Sequence, residues 1–239
     1  MNKKNIAITI GIIILIILVG IYFIIGNNTS SDALKFKNEY EELNGTIREK
    51  DGKTIRSINI PKKNPMVYAS EEDIIEMMDN EETFLVYFGF NDCPWCRSVI
   101  PTLIECANDL ELDKIYYVDV KNIRDVIEVN DNGELETTTT GSDGYYKLIE
   151  RLSSVLSDYN VKDKDENLIY TGEKRIYAPN VVAIVEGEAI QITEGISKSQ
   201  TDGYMDLTDE MINETYQDFK CIIKCVQDAK TICDINKQC

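Results

Sequence analysis

Thr83-Phe84-Leu85-Val86-Tyr87-Phe88-Gly89-Phe90-Asn91-Asp92-Cys93-Pro94-Trp95-Cys96-Arg97 is the stretch on which the reading of this chain turns. As far as Phe90 it is apolar, aromatic and β-branched, which predicts a buried strand. From Pro94 the period changes: Val99, Leu103 and Cys106 or Ala107 recur at spacings of three and four, which predicts a helix to about Leu110. Pro94 suits the first turn of that helix, where its missing N–H needs no partner, and Pro101 inside it should introduce a kink. The pair Cys93 and Cys96 therefore falls where a strand hands over to a helix. A thiol at a helix N-terminus meets unpaired backbone N–H groups and the positive end of the dipole. Both favour the thiolate and lower its pKa from the ordinary value of about 8.5. On this reading Cys93 is the attacking sulfur, Cys96 faces inward one turn later and resolves the mixed disulfide, and Trp95 covers the site with a flat apolar surface. Two other readings stay open for the pair. A structural disulfide would close so short a loop that it adds little stability, and zinc would need a second ligand pair.

Working outward, Met66 to Ala69 is a candidate strand, and Ser70 with Asp73 forms a capping pattern for a helix to about Asp79. Downstream, Lys114 to Val120 and Asn180 to Val185 read as strands. Glu186-Gly187 turns the latter into Ala189 to Thr193, and Gly195 ends that strand. A long helix is expected from about Thr208 to Ala229. Residues 121-176 are less regular, with the Thr137-Thr140 run, the Gly141-Ser142-Asp143-Gly144 break, and one main helix at about Tyr145 to Tyr159. Upstream, Asp32 to Leu43 reads as a short amphipathic helix with Leu34, Tyr40 and Leu43 as its apolar points. Residues 45-65, with an alternating segment from Thr54 to Ile60, read as an arm leading into the domain.

The N-terminus sets the compartment. Ile6 to Ile25 is almost wholly apolar, long enough at about 1.5 Å per residue to span a hydrocarbon core of about 30 Å. Lys3 and Lys4 precede it, and no basic residue follows until Lys35, which places the N-terminus in the cytoplasm and the rest outside. No small-x-small site closes the run, so an uncleaved anchor is preferred to a signal peptide. Disulfides persist in that compartment. The net charge of -17 argues against nucleic acid as a partner, and the absence of histidine excludes His-based triads and His-ligated metals.

The resemblance that these residues carry is to the thioredoxin superfamily. Phe84 to Arg97 is similar to its active-site strand and helix. Ala178-Pro179-Asn180-Val181-Val182-Ala183-Ile184-Val185-Glu186-Gly187-Glu188 is similar to its cis-proline loop, strand and turn. Gly195-Ile196-Ser197-Lys198 is similar to the segment before its last helix. The chain most resembles membrane-tethered thioredoxin-like proteins of Gram-positive bacteria, including those described as bacteriocin transport accessory proteins. The resemblance implies an α/β thioredoxin-like fold, a central mixed sheet flanked by helices, with a helical insertion. The layout is then an anchor at 1-26, a linker at 27-65, the domain at 66-220 with its insertion at about 121-176, and a cysteine-rich tail at 221-239. It also implies a cis Ala178-Pro179 bond beside Cys93, whose exposed backbone pairs with an extended substrate. The implied activity is thiol–disulfide exchange on the thiols or disulfides of exported proteins or peptides, with no cofactor and no metal. A membrane redox partner is a further candidate. The other function class is a non-catalytic accessory or binding module for a transporter or secreted peptide.

The chain departs from thioredoxins proper at two points. They carry a buried Asp six residues before the first cysteine, where this chain has Tyr87, so the proton acceptor for Cys96 is unassigned. The dipeptide between the cysteines is Pro-Trp rather than Gly-Pro. The insertion reads equally as a substrate-facing cap or as decoration.

Cys221, Cys225, Cys233 and Cys239 cluster at the end of the chain, the first two sharing a helix face. Two structural disulfides are expected, with three connectivities open; Cys225–Cys233 with Cys221–Cys239 is preferred because a tail returning along a helix would nest them. A redox relay and a zinc site are the other readings. Cys106 is expected to be a buried free thiol.

Overall fold

All six residues of Phe84–Gly89 are buried, as a continuous apolar run requires of a strand at the centre of a sheet. The structure, a computed structural model, describes residues 31–228. The proposed anchor at Ile6 to Ile25 lies outside the described residues, as do Cys233 and Cys239. Among the described residues no helix is long and apolar enough to cross a membrane.

The chain is a mixed α/β protein. Helix α1 covers residues 31–41. It is followed by β1 (Met66–Tyr68), α2 (Glu71–Asp79), β2 (Phe84–Gly89), α3 (Pro94–Asp109) and β3 (Ile115–Asp119). Next come β4 (Val126–Val129), β5 (Leu135–Thr139), α4 (Asp143–Leu152), β6 (Asp158–Lys162) and β7 (Leu168–Lys174). The chain closes with β8 (Asn180–Val185), β9 (Glu188–Thr193) and α5 (Asp209–Gln227). Five strands form the main sheet in the order β1-β3-β2-β8-β9. β3 runs parallel to both β1 and β2, whereas β8 is antiparallel to β2 and to β9. The crossover from β1 to β2 and the one from β2 to β3 travel in opposite directions across the sheet. Right-handed connections therefore put α2 and α3 on opposite faces. α3 packs with α5 and α2 with α4, so the sheet is covered on both sides.

Local chemistry explains the boundaries. Ser70 and Asp73 form a reciprocal capping box at the start of α2. Thr208 caps α5 by accepting from the Met211 N–H. The turn between β8 and β9 is made by Glu186 and Gly187, both with positive φ, and a Cβ on Gly187 would lie 2.3 Å from the Met78 carbonyl. Only glycine fits there.

Three expectations need correction. The segment before residue 66 is not an arm outside the core. Phe36, Tyr40, Ile58 and Ile60 belong to the central hydrophobic cluster. The ring of Phe36 meets that of Tyr117 edge-on at 4.9 Å, so the domain begins with α1. The buried points of α1 are Ala33, Phe36 and Tyr40, while Leu34 is exposed. Second, the insertion is not simply helical. It consists of two antiparallel hairpins, β4–β5 and β6–β7, with α4 between them. α4 ends at Leu152, and Tyr159 lies in a strand because its hydroxyl accepts from the Ile127 N–H at 3.0 Å. The hairpins are locked together by the buried pair of Arg175 and Asp125 at 2.9 Å, with Arg175 stacked 4.0 Å over the Tyr159 ring. Third, residues 221–227 are not tail: α5 continues through them and buries Ile222, Ile223 and Cys225.

Candidate functional site

Cys93 is the N-cap of α3. Its Sγ accepts the N–H of Cys96 at 3.2 Å and lies 3.4 Å from the carbonyl oxygen of Ala178, to which the thiol donates. The Ala178–Pro179 peptide is cis. Cys96 is fully buried one turn behind, and both thiols are reduced. The residues singled out in the sequence as Cys93, Pro94, Trp95, Cys96, Ala178 and Pro179 are thus brought to one place, where the C-terminal end of β2 meets the loop entering β8.

Burial opposes ionisation of Cys93. The Cys96 thiol, the N–H groups of Cys96 and Trp95 and the charge of Arg124 outweigh it, and hold the Cys93 thiol below its ordinary value. Burial, followed by the hydrogen bond and charge of Cys93, pushes Cys96 well above its own. One sulfur is therefore set to be a nucleophile and the other to keep its proton, the asymmetry that sequential disulfide exchange uses.

Cys96 has no carboxylate behind it. Tyr87 stands there, fully buried, its hydroxyl 3.4 Å from that of Tyr40. Burial, then the neighbouring Cys96, raises the Tyr87 pKa well above the ordinary phenol. A Cβ on Gly89 would lie 2.4 Å from the Tyr87 hydroxyl, so the absence of a side chain at 89 leaves room for this phenol.

Around Cys93 opens a groove of about 350 Å³. One wall is the arm: Arg48 pairs with Asp51 at 3.0 Å, and Asp51 accepts the Tyr204 hydroxyl at 2.6 Å. The other wall is the strap at 197–206. Gln200 ties it to Ser98 of α3 at 3.0 Å. Gly203 lies so close to the site that a Cβ there would be 2.9 Å from the Pro94 Cβ. Arg56 donates to the Met205 carbonyl and joins arm to strap. Arg124 and Tyr177 line it as well.

Arg97, directly after the second cysteine, is only 1% exposed and holds the assembly from inside. Its guanidinium donates to the carbonyls of Arg56, Tyr40 and Asn91, each at 2.8 Å, and to Asn44 Oδ1 at 2.6 Å. Nothing in the sequence signals that role, because three acceptors from 40–56 and a fourth from Asn91 converge on it only after folding. Arg124, Tyr40 and the walls of the groove were equally invisible.

The C-terminal cysteines sit apart. Cys221 and Cys225 lie on α5, do not line the groove, and are both disulfide-bonded. The expected pairing with Cys233 and Cys239 lies outside the described residues. Cys106 is buried and free. Among the described residues no cluster of cysteines and carboxylates could hold a metal. No protein-family model, curated protein or solved structure matches this chain.

Proposed function

We propose that this chain is a thioredoxin-like thiol–disulfide oxidoreductase, tethered to the outer face of a cell membrane by residues 6–25 and acting on exported proteins or peptides. The observation that carries the reading is the placement of the Cys93 sulfur. It caps α3, it is held in its thiolate-favouring environment by the Cys96 N–H, and it faces the Ala178 carbonyl at the floor of an open groove. The mixed sheet order, with helices on both faces and the dithiol at the end of its central strand, supports the thioredoxin-like assignment.

Starting from the dithiol, the Cys93 thiolate attacks one sulfur of a client disulfide. A Cys93–client S–S bond forms, the client bond breaks, and the departing client thiolate takes a proton from water. Cys96 then loses its proton and attacks Cys93 Sγ. The Cys93–Cys96 disulfide forms, the second client thiolate leaves, and the client has gained the two electrons that the protein has lost. Run backwards, the same steps oxidise a client dithiol. Ala178, beside the reacting sulfur, offers backbone polar groups against which an extended client can lie.

Trapping tests the proposal. Cys96→Ser blocks the second step, so mixed disulfides with exported proteins should accumulate through Cys93 and be released by reductant. Full exchange activity in Cys93→Ser would refute it. The tether is supported by the apolar run and by its flanking charges. It predicts that protease added to intact cells digests the domain while the chain fractionates with membranes.

A further inference from the structure

The groove beside Cys93 contains one side-chain charge with no ion-pair partner among the described residues. Arg124, between β3 and β4, is half-buried, with its guanidinium carbon 5.2 Å from the centroid of the Phe90 ring. Among the described residues it makes no hydrogen bond and no ion pair, and its Nε is buried without a partner. Each of the other charged residues that line the groove has an ion-pair partner. Arg48 is held by Asp51, Asp51 also takes the Tyr204 hydroxyl, and Asp202 faces Lys53 at 3.5 Å. Arg175, the cation nearest to Arg124 in electrostatic effect, is committed to Asp125. An uncompensated guanidinium in a chain of net charge -17 is an unusual use of a cation. A half-buried cation without a counter-charge is costly, and gains when one arrives.

Cys93 and Arg124 line the same groove, and the guanidinium charge favours the Cys93 thiolate, so in the dithiol state the thiolate supplies part of that counter-charge. Once Cys93 enters a disulfide, the sulfur is neutral and the guanidinium is left alone. The rigid fork of an arginine suits a carboxylate better than any other common anion of a peptide.

We propose that Arg124 is a specificity residue: it binds the carboxylate of an acidic side chain next to the reacting cysteine, so that the protein selects disulfides flanked by Asp or Glu. This rests on the redox reading above and names the substrate class for it. It also makes affinity for the carboxylate depend on the redox state of the protein, because thiolate and carboxylate compete for one guanidinium. By reciprocity, a bound carboxylate weakens the hold on the thiolate.

Two measurements on the full chain in detergent test this and separate it from the redox proposal. The first uses acetylated, amidated disulfide peptides that differ only in Glu, Gln or Lys beside the cysteine, with dithiothreitol as electron donor. The Glu peptide should exceed the Gln peptide by about tenfold in kcat/KM, mostly through KM, with Lys slowest. Arg124→Gln should bring the three together, and Arg124→Lys should restore part of the order. The second needs no turnover. Trp95 is the only tryptophan and lines the groove, so its fluorescence reports binding of the same peptides with cysteine replaced by serine. The oxidised chain should prefer the Glu peptide by about tenfold, and the dithiol chain at pH 8 should lose most of that preference. If no peptide is turned over while the Trp95 titration keeps its Glu preference, the redox reading fails and the carboxylate site stands. Equal affinities for the Glu and Gln peptides in the oxidised chain, or an unchanged preference in Arg124→Gln, would overturn the proposal.

Discussion

Replacing Arg97 by methionine should separate the segment at 40–56 from α3. The guanidinium is almost fully buried, pairs with no carboxylate among the described residues, and uses four of its N–H groups on four acceptors. Methionine keeps much of the apolar volume and supplies no donor. Asn44 Oδ1 retains the Ile58 N–H at 3.0 Å, so its loss is partial. The carbonyls of Tyr40, Arg56 and Asn91 each lose a charge-assisted donor. Such bonds contribute roughly 1.5–3 kcal/mol each. Against that, the variant no longer keeps a guanidinium out of water, and burial already weakens the hold on its proton. Setting one against the other leaves a net loss of about 3 kcal/mol. With a urea slope of roughly 2–3 kcal/mol per molar, the midpoint should fall by about 1–1.5 M. The assay is urea unfolding of the full chain in mild detergent, followed by Trp95 fluorescence, with Arg97→Lys alongside. A lysine ammonium reaches fewer of these acceptors and should recover part of the loss. A midpoint within about 0.3 M of the parent for Arg97→Met would refute the claim that this residue ties residues 31–65 to α3.

The other predictions concern the two sulfurs and the packing around them. In the reduced chain, alkylation by iodoacetamide should rise through a single transition below the ordinary thiol value of about 8.5, and Cys93→Ser should remove it. Because folding lowers the Cys93 pKa, its contribution to stability is present above the ordinary thiol value and is lost as pH falls through the folded one. Folding raises that of Cys96, whose contribution is full below the ordinary value and is lost as pH rises towards the folded one. The Tm of the dithiol chain should therefore climb between the folded Cys93 pKa and about 8.5 and fall above it, and a monotonic profile would count against the assignment. Gly89→Ala drives a methyl into the Tyr87 phenol and should cost about 1–3 kcal/mol in thermal unfolding, relieved by Tyr87→Phe in the double variant. Arg175→Met leaves Asp125 buried and unpaired, and should cost about 3–5 kcal/mol in urea unfolding, with Asp125→Asn in the same background recovering part of it.

Much of this protein could be read from spacing alone. The run from Phe84 to Gly89 has no polar residue to face water, so it had to be a central strand. Cys93 followed by Pro94 at the head of a 3.6-residue pattern had to be a helix start, and those two facts put a thiol at a helix N-terminus before any contact was known. Asn180 to Val185 and the turn at Gly187 were legible for the same reason: period and turn chemistry act over a few residues. The hairpins were not legible, because β5 is exposed at every position and shows no alternation, and Tyr159 is drawn into a strand by Ile127, 32 residues away. Nor was the place of α1 in the core. Its helix was evident, but which of Leu34, Phe36 and Tyr40 faced inward depended on Tyr117 and Tyr87, which meet it only in the folded chain. Local sequence thus determined where the Cys93 sulfur sits. Its surroundings were decided only by tertiary structure: the Arg97 clamp, the Tyr87 phenol behind Cys96, and the unpaired Arg124 facing the groove. Burial and charge pairing are properties of which distant residues come together, and no short stretch of chain encodes them.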